Sequence, residues 1–162
     1  MPLPLNPNIA SAPLYIGGAA IEDIRAQYGV EEIIKIGSNE SPIGPSPQAI
    51  AAMQQALATL NRYPPMGDDD LRAVLAETLG QGLAADHFVT GNGGCDILEL
   101  IATGFLDSEA EIIISPPTFP IYEITARKLG ATVVYAPLNP VDFSYDVEAI
   151  LAAVTERTRL IY

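Results

Sequence analysis

Between Glu111 and Ser115 stand Ile112, Ile113 and Ile114, three β-branched apolar residues with no polar position among them. A strand with one wet face alternates apolar and polar side chains. An unbroken run belongs instead in a strand covered on both faces, as in a parallel sheet flanked by helices. The sequence around the run keeps the same rhythm. Ile97 to Leu106 reads as a helix with Ile97, Leu98, Ile101 and Phe105 turned inward. Pro116-Pro117-Thr118-Phe119-Pro120 reads as loop, Ile121 to Leu129 as helix, and Gly130 as its C-terminal stop. Thr132 to Ala136 reads as strand, Asp146 caps a helix through Val147, Ile150, Leu151 and Val154, and Thr158 to Tyr162 begins another strand. His87 to Thr90 is expected to be a short strand ahead of the tight loop Gly91 to Asp96. This alternation predicts an α/β fold with a layered, mostly parallel sheet. Ligand loops in such sheets follow the C-terminal ends of strands. The loop that the strand at Tyr162 should deliver is therefore expected to lie outside these 162 residues.

The N-terminal half is less regular. Met1 to Ala20 reads as an irregular arm rich in Pro and Gly. Ile21 to Tyr28 reads as a short helix, Ile33 to Ile36 as a short strand, and Gly37 to Pro45 as a turn cluster. Ser46-Pro47 starts a helix, with Ser as N-cap and Pro in the first turn, and Ile50, Met53, Leu57 and Leu60 recur at helical spacing to about Asn61. Tyr63 to Gly67 must be loop. Asp68, Asp69 and Asp70 then place acid at the start of a further helix, where it favours the positive end of the dipole.

Charge and composition narrow the function classes. Eight Lys and Arg against 20 Asp and Glu give a net charge of −12. That argues against nucleic acid and anionic membrane as partners, since both call for clustered basic residues. No apolar run approaches the roughly 20 residues that span a bilayer, and the start lacks the basic, then apolar pattern of a secretory signal. One cysteine forms no internal disulfide, so a cytoplasmic location is expected. Lys35 and Lys128 are the two lysines of the chain.

The segment richest in chemistry is Gly91-Asn92-Gly93-Gly94-Cys95-Asp96. Glycines let backbone approach a ligand, and the N–H groups at a helix N-terminus attract an anion. The amides of Gly93, Gly94 and Cys95 can together hold a phosphate. The dinucleotide fingerprint fails because Asp96 stands where a third glycine is needed, and no Gly-Lys-Ser/Thr of a P-loop occurs. On spacing alone, a phosphate cradle of another type and a plain tight turn both remain open.

Four motifs then fall in one order. Ser38 to Pro47, SNESPIGPSP, resembles the SNENPLGPSP signature of histidinol-phosphate aminotransferases. Asn61-Arg62-Tyr63-Pro64 resembles their NRYPD, Gly91 to Leu100 is similar to their GNGSDEILEL, and Pro117 to Tyr122 is similar to their PTFxxY. The resemblance covers residues 14 to 162 and implies the N-terminal portion of a pyridoxal 5'-phosphate aminotransferase of fold type I. Its domains would be an arm and small-domain segment at 1–44 and part of the cofactor-binding large domain at 45–162. The implied reaction moves an amino group between histidinol phosphate and 2-oxoglutarate. An aromatic amino-acid aminotransferase, a threonine-phosphate decarboxylase on the same scaffold, and an inactive phosphate-binding or dimerisation piece are the alternatives.

The resemblance also implies roles. Gly93, Gly94 and Cys95 would give amides to the cofactor phosphate, and Phe119 would stack on its pyridine ring. Tyr63 would reach across a homodimer interface to the partner's phosphate. Asn39 would lie near the amino-acid end of the substrate and Tyr15 at its phosphate region. Two segments depart from the pattern. Gly94 and Cys95 replace the usual Ser and Asp, and Tyr15-Ile16-Gly17-Gly18-Ala19 replaces YVPGK. The family's Schiff-base lysine would fall past Tyr162, so no catalytic residue is assigned here. Neither Lys35 nor Lys128 has the Ser-x-x-Lys setting that the lysine requires.

Other readings are plainer. Cys95 is expected as a small residue at a turn rather than a thiolate nucleophile, and His87 as a loop residue rather than a base. Asp68 to Asp70 are expected as a helix start, with no metal site. Asn39-Glu40 fits turn chemistry as well as a ligand contact.

Overall fold

The computed structural model describes residues 3–162. The chain forms two compact units, one of Ile16–Leu71 and one joining the N-terminal stretch through Tyr15 to Arg72–Tyr162. Residue 44 falls inside the first of these.

The larger unit is built around a three-stranded sheet of β1 (Glu111–Ile114), β2 (Thr132–Tyr135) and β3 (Thr158–Ile161), ordered β2-β1-β3 with both pairings parallel. All four β1 residues are buried, and Ile112 and Ile113 are sealed completely. That is the placement the unbroken Ile run demands, since only the central strand has neighbours on both edges and cover on both faces. Ile112 lies opposite Val133 of β2 and Leu160 of β3, with an irregularity in the β3 register after Glu111. The strands are joined through helix α6 (Ile121–Lys128) and helix α7 (Val147–Ala152), whose N-cap Asp146 accepts a hydrogen bond from the Ala149 N–H at 2.9 Å. Helix α5 (Gly94–Phe105) packs against α6, and Lys128 Nζ donates to Glu99 Oε1 across the two at 3.2 Å. The core gathers Ala102 of α5, Leu106 just after it, Ala110 just before β1, Ile112 and Ile114 of β1, and Ala126 of α6. A short N-terminal helix α1 (Pro7–Ser11) also lies on α6. Gly130 follows α6 at φ +82°, a left-handed backbone that strains any residue with a side chain, and a Cβ there would also have to displace the Asn8 side-chain amide 2.8 Å away.

The smaller unit contains α2 (Ile21–Tyr28) and α3 (Pro47–Ala56), the latter followed by a 3₁₀ turn at Leu57–Thr59. The boundary between the units falls within α4 (Asp69–Leu79). Ser46 precedes α3 as expected, although its side chain makes no capping bond. Among the described residues no helix is long and apolar enough to cross a membrane.

Two expected strands do not form. Ile33 to Ile36 forms no regular element and joins no ladder, with Ile34 and Ile36 80% and 92% exposed. Ala85–His87 is a 3₁₀ turn, and Phe88 to Thr90 joins no ladder. Both segments have strand-like composition, but a strand exists only where a neighbour accepts its hydrogen bonds, and no neighbouring strand is present for either among the described residues. Helix α5 also begins at Gly94, three residues earlier than its apolar face predicts.

Candidate functional site

Four aromatic residues of the larger unit meet beyond the C-terminal ends of β1 and β3. The chain leaves β1 at Ser115, passes the cis Pro116–Pro117 bond, and delivers Phe119 two residues before α6. Tyr122 sits in the first turn of α6, three positions on, and its N–H donates to the Phe119 carbonyl at 3.4 Å. Tyr162 follows β3, its N–H donating to the Ile113 carbonyl at 2.9 Å. The rings form a chain: Tyr15 perpendicular to Phe119 at 6.0 Å, Phe119 perpendicular to Tyr122 at 5.9 Å, and Tyr122 stacked on Tyr162 at 4.4 Å. Phe119 is 37% exposed, which leaves ring surface for a planar group to cover. The Tyr162 hydroxyl is sealed from solvent with no hydrogen-bond partner. Burial, helped by the nearby Tyr122, pushes its pKa above the ordinary phenol value.

The second component is the loop before α5. Asn92 N–H donates to Asp96 Oδ2 at 2.8 Å, so the first-turn carboxylate folds back and ties the loop to the helix. Gly91 is needed for this closure, because a Cβ at that position would lie 2.7 Å from Asp96 Oδ2 and 3.0 Å from Ile97 Cδ1. Gly93 is the N-cap; its carbonyl accepts from the Ile97 N–H, and its own N–H is committed to the Gly91 carbonyl at 2.9 Å. Gly94 and Cys95 open the helix, where N–H groups precede any intrahelical acceptor. Of the three amides expected to face an anion, two are therefore available. Open space surrounds the position a Gly94 Cβ would take, and Cys95 is an exposed free thiol.

The remaining predicted residues lie in the smaller unit. Asn39 and Ser38 adopt left-handed backbone at φ +51° and +66°, which Asn tolerates well. Tyr63 is fully exposed in its loop, at 100%. Each lysine is paired, Lys35 with Glu40 at 2.9 Å and Lys128 with Glu99. The structure thus brings Tyr15 and Phe119 into contact and groups Gly93, Gly94 and Cys95, whereas Asn39 and Tyr63 belong to the other unit. Sequence reading left Tyr122 and Tyr162 without roles. The Phe119-x-x-Tyr122 spacing was the available signal for the first, and only the sheet order reveals the second.

The family pattern described as Aminotransferase class I and II matches residues 31–162. The chain belongs to this family. A histidinol-phosphate aminotransferase of Moorella thermoacetica is 36% identical over 154 residues, covering 95% of this chain and 39% of that protein. One of Methanocella arvoryzae is 39% identical over 150 residues, covering 91% and 41%. The chain therefore spans about two fifths of the length of these relatives. Among solved structures, histidinol-phosphate aminotransferase from Sinorhizobium meliloti in complex with pyridoxal-5'-phosphate aligns at TM-score 0.77 and 27% identity, covering 94% of this chain and 39% of that one. A Thermus thermophilus aspartate aminotransferase mutant shares the fold at TM-score 0.75 and 22% identity, covering 98% and 44%. The parallel sheet and its helices are part of the fold type I large domain of these enzymes.

Proposed function

We propose that residues 1–162 form the N-terminal part of a pyridoxal 5'-phosphate-dependent aminotransferase that exchanges an amino group between histidinol phosphate and 2-oxoglutarate. The observation that carries this reading is the pairing, within one compact unit, of a helix N-terminus with two available amides and an aromatic ring with open surface. Those features fit the phosphate and the planar ring of this cofactor. The names of the relatives support the substrate.

The N–H groups of Gly94 and Cys95 hold the phosphate, aided by the dipole of α5. Gly93 contributes through the turn that aims them rather than through its own amide. Phe119 covers one face of the pyridine ring and keeps water from it. Once bound, the cofactor supplies the electron sink for bond breaking at the substrate's amino-bearing carbon. Tyr63 donates its hydroxyl to the phosphate of the partner subunit in a homodimer. Asn39 orients the amino-acid end of the substrate and Tyr15 its phosphate end. Residues 1–44 serve as arm and small-domain segment, residues 45–162 as part of the large domain, and the protein works in the cytoplasm.

The test of the substrate is amino transfer to 2-oxoglutarate by the complete protein that carries this sequence. Histidinol phosphate is expected to be the best donor. Equal or faster transfer from phenylalanine or tyrosine would contradict the assignment.

A further inference from the structure

We infer that Tyr122, buttressed by Tyr162, is a positioning residue that fixes the ring plane of Phe119. The inference rests on the reading of Phe119 as the cofactor-stacking side chain. Three observations carry it. Phe119 stands two residues ahead of α6, outside any helix or strand. It meets two rings, Tyr15 and Tyr122, both close to perpendicular at 81° and 88°. Tyr122 is in turn held by a near-parallel stack, 11° from the plane of Tyr162, and Tyr162 is anchored by its backbone bond to the central strand. Rings paired edge to face or offset-stacked have preferred angles, so orientation passes from one to the next. The sheet thus sets Tyr162, Tyr162 sets Tyr122, and Tyr122 sets the surface that Phe119 offers to a ligand. The ring pairs link Tyr162 to Phe119 through Tyr122.

The complete protein that carries this sequence, with its phenylalanines isotopically labelled, gives a readout that needs no cofactor, the Phe119 signal being assigned with Phe119→Leu. Tyr162→Leu and Tyr122→Leu are expected to shift the Phe119 ring resonances, whereas Tyr162→Phe keeps them in place because the stack survives. Unmoved Phe119 resonances in both leucine variants would overturn the inference. Pyridoxamine 5'-phosphate supplies the second readout, since it lacks the aldehyde that condenses with stray amines. Its affinity should drop about 3- to 10-fold in Tyr162→Leu and stay within about twofold of wild type in Tyr162→Phe. Unchanged affinity in Tyr162→Leu would overturn the positioning role alone. Failure of the complete wild-type protein to bind the probe would overturn the cofactor reading and the positioning role with it, and the ring resonances would still show whether the rings are coupled.

Discussion

The rings of Tyr122 and Tyr162 lie 4.4 Å apart and 11° from parallel, forty residues apart in sequence, at the C-terminal edge of the parallel sheet. This contact joins helix α6 to the end of strand β3, and its cost is a buried Tyr162 hydroxyl with no partner.

Removing that hydroxyl should do no harm. An unpaired buried polar group costs about 1–3 kcal/mol, and its deletion leaves the ring stack intact. Tyr162→Phe is expected to leave stability unchanged or to raise it by up to about 1 kcal/mol, judged by urea unfolding. Destabilisation by more than that would mean the hydroxyl has a partner after all.

Gly91 and Asp96 should prove coupled. Gly91→Ala places a Cβ against the Asp96 carboxylate, and overpacking of this kind costs about 1–3 kcal/mol. In Asp96→Ala the obstruction is gone, so adding Gly91→Ala to that background is expected to cost much less than it does in wild type. A double-mutant cycle reads the difference directly. Strict additivity would show that the loop closes without the Asp96 clamp.

Acid should weaken the sheet through Glu111. This buried carboxylate opens β1 and accepts hydrogen bonds from the Thr155 hydroxyl at 2.6 Å and from Arg157. The Thr155 bond is the largest influence on it; burial works the other way and Arg157 adds to the lowering, so the pKa falls below the ordinary 4.5. The unfolded chain therefore takes up the proton first as pH falls. The stabilisation is complete above about the unfolded value and is lost as pH drops through the lowered folded value. Unfolding midpoints followed from neutral pH into acid should show this loss in wild type and a shallower slope in Glu111→Gln. Identical slopes would contradict it.

Cys95 offers a chemical probe of the loop. Its thiol is exposed at the start of α5, beside the amides assigned to the phosphate. Pyridoxamine 5'-phosphate is expected to slow alkylation of Cys95 by iodoacetamide, and pyridoxamine without the phosphate to have little effect. Equal protection by the two, or none, would place the ligand elsewhere.

The sequence told some of this and concealed the rest for physical reasons. The Ile112–Ile114 run announced a central buried strand because double-sided burial leaves no room for alternation. Ile33 to Ile36 and His87 to Thr90 carried the same kind of residues yet stayed unpaired, since pairing is a property of the neighbour and not of the segment. The Gly91–Asp96 loop was legible as a Gly-rich turn into a helix, open to both a phosphate cradle and a plain tight turn, but the inward bond of the Gly93 amide depends on a local turn that composition does not reveal. Tyr122 and Tyr162 meet only because β3 lies beside β1, a fact of topology that no local pattern encodes.

The central claim is that the amides of Gly94 and Cys95 hold a phosphate. Calorimetric titration of the complete protein that carries this sequence with pyridoxamine 5'-phosphate and with pyridoxamine tests it most directly. The phosphorylated compound should bind at least about 10-fold tighter, roughly the 1.4 kcal/mol expected from charge-assisted bonds to two backbone amides, and inorganic phosphate should compete with it. Equal affinity for the two compounds, with no competition by phosphate, would contradict the claim.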